Sequence, residues 1–154
     1  MRFYFLDSSA VVKRYIPEIG SDWIQQLTHE GTNHQLFIAR ITWVEVLSAL
    51  SRRQRENFLD SASYKYIKTV FKTHLDQQYR ILDTDRNLIE SAGDLVSQYP
   101  LRAYDATQLA AALRLKTILN QSQLSDPIFL TADKKLLTIA QQSGLLCDNP
   151  HNHP

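Results

Sequence analysis

The sequence predicts an α/β fold of three layers, with a central, mainly parallel sheet of about four or five strands flanked by helices. Two observations carry this reading. Short apolar runs recur along the 154 residues, separated by longer stretches whose apolar positions follow helical spacing. Two of those runs lead into an acidic residue, Asp7 and Asp133, as expected where parallel strands deliver ligand-binding groups to one sheet edge.

The elements follow in order. Residues 3–6 are wholly apolar and read as the first strand, with Asp7 opening a helix behind it. Residues 21–29 place Trp23, Ile24 and Leu27 on one helical side. The second strand is 36–39. It leads to a helix at 42–53 that carries Val46, Leu47 and Leu50, with Glu45 beside them. A further helix at 60–75 makes a two-helix insert before the third strand at 80–82. Residues 85–99 are helical. Residues 105–119, rich in Ala and Leu, predict a well-buried helix opened by Asp105. The fourth strand is 128–130, and the helix at 133–142 is ended by Gly144. The last strand is 145–147. Residues 1–148 form one domain, and 149–154, with His151 and His153, read as a loose, solvent-exposed tail.

Composition narrows the class. No apolar run reaches membrane-spanning length, and the apolar start is cut short by Asp7, so a cytoplasmic protein is expected. The single cysteine, Cys147, has no partner for an internal disulfide and reads as a buried structural thiol. A net charge of +1 marks no nucleic-acid binder. Arg52, Arg53 and Arg55 cluster, and Lys13 and Arg14 follow Asp7. They form either solvated helix faces or a phosphate-attracting rim. The four glycines, Gly20, Gly31, Gly93 and Gly144, spell neither a dinucleotide-binding fingerprint nor a phosphate loop, and no nucleophile elbow is present. His29, His34 and His74 read as surface or loop residues.

The candidate site is acidic. Asp7, Glu45, Asp105 and Asp133 each adjoin apolar residues, where an unpaired carboxylate is costly to desolvate. Singly, the three aspartates are explained as helix caps, and Glu45 as the partner of Arg52 or Arg53. Jointly, carboxylates brought to one edge repel, and a hard divalent cation resolves the conflict. Ser9 and Thr131 are placed to hydrogen-bond such ligands.

The segments Phe5-Leu6-Asp7-Ser8-Ser9-Ala10, Val44-Glu45-Val46, Leu101-Arg102-Ala103-Tyr104-Asp105-Ala106 and Leu130-Thr131-Ala132-Asp133-Lys134-Lys135-Leu136 resemble, in order and spacing, the PIN-domain family, specifically the toxin ribonucleases of VapBC-type toxin–antitoxin modules. The resemblance implies a compact PIN-like fold and an endoribonuclease dependent on Mg²⁺, with Mn²⁺ as a substitute. It maps the catalytic quartet onto Asp7, Glu45, Asp105 and Asp133, with Asp7, Asp105 and Asp133 as the metal ligands. Ser9 and Thr131 match the family's hydroxyl residues beside the acids. On the same reading Arg14, Arg52 and Arg102 are the RNA-phosphate contacts. The resemblance further implies an antitoxin protein that covers the site, and a homodimer. Ile41, Trp43 and the Val46, Leu47, Leu50 face serve either those contacts or the core. Residues 58–78 carry no family motif. Two other readings use the same acids: a metal-dependent phosphatase or 5′-nuclease, and a non-catalytic interaction module in which the acids only cap helices.

Overall fold

The computed structural model describes residues 1–154. Five parallel strands form one sheet in the order β3-β2-β1-β4-β5. They are β1 (Phe3–Leu6), β2 (Gln35–Ala39), β3 (Tyr79–Leu82), β4 (Ile128–Leu130) and β5 (Leu146–Asp148). Between them run α1 (Ser8–Tyr15), α2 (Ser21–Leu27), α3 (Thr42–Arg55), α4 (Ser61–Gln77), α5 (Arg86–Gln98), α6 (Ala103–Gln121) and α7 (Lys134–Gln142). The two-helix insert is α3 and α4.

β1 is central because it is apolar on both sides, as parallel strands covered by helices must be. Phe3 and Phe5 face a core shared with α5, α6 and α7, where Leu88, Leu109, Phe129, Leu136 and Ile139 are buried. Tyr4 and Leu6 face the other core, built with Val11, Ile24, Ile38, Val46, Leu50 and Phe71 from α1 to α4 and β2. The sheet thus lies between two helical layers. Val46 and Leu50 belong to this core, Leu47 packs against it, and the Trp43 ring stacks on Phe71 at 5.5 Å. Most of that α3 face is therefore not available to a partner.

Register positions the site. Leu6 lies opposite Leu130, and the Asp7 N–H donates to the Leu130 carbonyl at 3.1 Å. The ends of β1 and β4 therefore lie level, and the residues that follow them emerge side by side.

Three expectations are corrected. The tail is not loose: Pro150–Asn152 forms a short 3-10 helix, Asn149 and Pro150 are buried, and the His153 ring stacks on Trp23 at 4.0 Å while Nε2 meets Asp148 at 3.0 Å. Proline and asparagine gave it the composition of a free end, but α2 offers an aromatic seat. Asp105 opens no helix, because α6 begins at Ala103 with Arg102 as its cap. Cys147 is half-buried rather than buried, and that burial pushes its thiol up to about 11. No helix is long and apolar enough to cross a membrane.

Candidate active site

Asp7 is the first residue past β1, and it is only 3 % exposed. Its Oδ1 accepts from Ala10 N at 3.0 Å, capping α1, and from Ser9 Oγ at 2.6 Å. Its Oδ2 accepts from Thr131 Oγ1 at 2.6 Å. The two hydroxyls are held in turn by backbone donors beyond β4: Ala132 N donates to Ser9 Oγ at 2.9 Å, and Asp133 N to Thr131 Oγ1 at 3.1 Å. Both Asp7 oxygens are therefore fixed by groups that are themselves fixed. Burial lifts the Asp7 carboxyl to about 6, more strongly than these bonds lower it, and the charge of Glu45 adds to the rise.

Glu45 lies in the first turn of α3. Gln108 Nε2 donates to its Oε1 at 2.7 Å, and Ser8 Oγ to its Oε2 at 2.9 Å. Its carboxyl is also raised, first by burial and then by the charge of Asp105. Asp105 sits in the first turn of α6. It is raised by burial and by Asp133, against the opposing pull of Arg102 and Lys135. Asp133 caps α7, accepting from Leu136 N at 3.0 Å.

The four acids thus form a chain at one sheet edge, Asp7 to Glu45 to Asp105 to Asp133, each close enough to perturb the next. Capping and a catalytic role are compatible, since Asp7 and Asp133 each keep one oxygen off the cap. The expected ion pair between Glu45 and Arg52 or Arg53 does not form. Arg53 is paired with Glu18 instead, and no ion pair in the molecule includes any of the four acids. A cleft of about 390 Å³ opens over Glu45, Asp105 and Asp133, walled by Leu101, Arg102, Tyr104 and Lys135, and Asp7 lies buried beside it.

The donor set fits a hard divalent cation: all its atoms are carboxylate oxygens, none of the four acids is in an ion pair, and burial pushes three of them toward protonation. No three acidic or histidine side chains converge as a closed cage.

The basic residues divide. Arg102 lines the cleft. Arg14 does not reach it: α1 carries it to the far end of the layer, where it donates to Tyr79 Oη and Gln78 and lines a different cleft with His29 and His74. Arg52 lies two turns beyond Glu45, exposed and away from the acids. Lys13 is buried and paired with Glu18. The histidines stay clear of the acids, with His74 Nδ1 at 2.8 Å from Tyr15 Oη. Sequence reasoning missed Ser8, Thr42, Tyr104, Gln108 and Lys135. A signal existed for Gln108, an amide one turn after Asp105 within the Ala-rich stretch 106–112.

Residues 4–141 match the family model described as the PIN domain. No curated protein sequence matches the chain. Among solved structures, the fold is similar to VapBC2 from Rickettsia felis bound to a promoter DNA fragment, at 13 % identity, 96 % and 98 % coverage of this and that chain, and a TM-score of 0.64. It is similar to VapC20 from Mycobacterium tuberculosis, described as a sarcin-ricin loop cleaving toxin, at 13 %, 93 % and 96 %, and 0.62. It is also similar to a toxin–antitoxin complex from Klebsiella pneumoniae, at 18 %, 96 % and 97 %, and 0.59. At these identities the likeness is one of fold.

Proposed function

Because the chain belongs to the PIN domain family, we propose that it is a metal-dependent endoribonuclease and the toxin of a toxin–antitoxin pair. The observation that carries this is the acidic edge itself: four carboxylates without a single cationic partner, with Asp7 gripped at both oxygens by Ser9 and Thr131. A protein that used these acids only as caps has no need to bury three of them, beside one another, where burial first and the neighbouring charge second push them upward.

Asp7, Asp105 and Asp133 would hold Mg²⁺, or Mn²⁺ in its place. When bound, the ion supplies Lewis acidity, which acidifies water and offsets charge on a scissile phosphate. The chain's own groups do the rest. Ser9 and Thr131 keep Asp7 oriented. Glu45, raised toward neutrality and held from both sides, is suited to take a proton from attacking water. Arg102 and Lys135 bring positive charge to the cleft mouth for the RNA backbone. Tyr104, 57 % exposed beside Asp105, offers a ring on which an unpaired base stacks.

The deciding experiment is cleavage of a mixed RNA pool with Mg²⁺, Mn²⁺ or EDTA, beside Asp7→Asn protein. The expected result is cleavage that EDTA stops and that the substitution abolishes. Cleavage by Asp7→Asn protein at the wild-type rate removes this site from the reaction. The antitoxin and homodimer follow from the same reading. The named relatives include toxin–antitoxin complexes, and an antitoxin segment would close the cleft over Asp105 and Asp133.

A further inference from the structure

Gln108 is an amide in the wrong company. It is 1 % exposed, and apart from Thr107 its buried neighbours along α6 are apolar: Ala106, Leu109, Ala110, Ala111 and Ala112. An amide so placed is destabilising unless its hydrogen bonds are made. Gln108 makes only part of them. Nε2 donates to Thr42 Oγ1 at 2.9 Å and to Glu45 Oε1 at 2.7 Å, one turn apart on α3. Its Oε1 is buried without a partner. Turning the amide over would set Oε1 against the Glu45 carboxylate and leave an N–H group without an acceptor, so the ionised glutamate dictates the orientation.

A leucine would fill this position without an orphaned carbonyl. What the amide adds is a two-point bracket. One N–H is anchored on the Thr42 hydroxyl, which fixes the plane of the amide, and the other holds Glu45. From the opposite side Ser8 Oγ donates to Oε2 at 2.9 Å. Both donors are neutral, so they fix the carboxylate in place without cancelling its charge, as a lysine or arginine would. We infer that Gln108 is a positioning residue, which holds the Glu45 carboxylate in register with Asp105 across the α3–α6 contact. The inference rests on the nuclease reading above.

The test uses Gln108→Met and Gln108→Leu, two apolar shapes, so that one poor fit does not decide the outcome. Losing the orphaned carbonyl offsets part of the cost of leaving Thr42 Oγ1 and Glu45 Oε1 without this donor, and both proteins are expected to fold and to melt somewhat below wild type. With RNA as substrate, kcat is expected to fall about 10- to 100-fold, while KM moves by less than about twofold. In a Glu45→Gln background the same substitutions are expected to leave the residual rate unchanged, because the group they act through is already disabled. Wild-type kcat in either folded variant overturns the inference and leaves the nuclease reading standing. Losses that multiply with Glu45→Gln also overturn it, since Gln108 then acts elsewhere. Wild-type protein that leaves RNA intact with Mg²⁺ and with Mn²⁺ overturns both.

Discussion

At Asp7 the carboxyl titrates near 6 against an ordinary 3.8, and burial is the largest cause. The sign of the consequence is fixed. Between those values the folded protein holds a proton that the unfolded chain has released. Stability in the absence of metal is therefore highest below about 4, falls as pH rises toward 6, and stays lower above it, by about 3 kcal/mol from this group. Glu45 and Asp105 shift in the same direction. Denaturant titrations in EDTA across pH 4 to 7.5 are expected to show this decline, and Asp7→Asn protein to show a shallower one. A metal-free protein equally stable at both ends would remove the buried-carboxylate picture. Asp7 and Asp133 were legible in the sequence because they follow apolar runs. Gln108 stood out only as an amide, and its hold on Glu45 was not legible, because that bond joins two helices across 63 residues of sequence. Arg14 was misplaced for the opposite reason: proximity to Asp7 in sequence hid that α1 carries it to another end.

Helices and strands set a different kind of limit. Gly20, ahead of α2, adopts a φ of 86°, and a Cβ there would lie 2.3 Å from the Pro150 carbonyl oxygen. The turn into α2 and the seated C-terminal residues therefore depend on one missing side chain. Gly20→Ala is expected to destabilise by roughly 1 to 3 kcal/mol, read as a lower melting temperature, with RNA cleavage retained at temperatures where the protein stays folded. In α6, Leu109 is fully buried, and Leu109→Ala is expected to destabilise by about 2 to 5 kcal/mol through the cavity it leaves. An unchanged melting temperature would contradict the packing described. All five strands were visible in the sequence as apolar runs. The docking of residues 149–154 was not, since it depends on the Trp23 ring meeting His153, a contact between residues far apart in the chain.

Across the whole molecule, the two helical layers meet the sheet in two separate cores, and the acids lie where both layers end. A cation held by Asp7, Asp105 and Asp133 would join α1, α6 and α7, and would so stabilise the folded state as a whole. Adding Mg²⁺ or Mn²⁺ at neutral pH is expected to raise the melting temperature of wild-type protein. The rise is expected to be absent in Asp105→Asn, whose carboxylate accepts no hydrogen bond that the fold needs. Equal shifts in both proteins would place the ion elsewhere. The order of elements was legible from alternation alone, whereas which strands adjoin was not, because strand pairing is written in no single segment. One pairing has a consequence for how the protein is made. Thr131 closes on Asp7 across a separation of 124 residues, so a ribosome must translate through β4 before the two can meet. A nascent or prematurely terminated chain that lacks β4 carries Asp7 without the Thr131 hydroxyl that orients it, and lacks Asp133 as well. On the nuclease reading, the cell's own RNA is exposed to the activity only after β4 has been made.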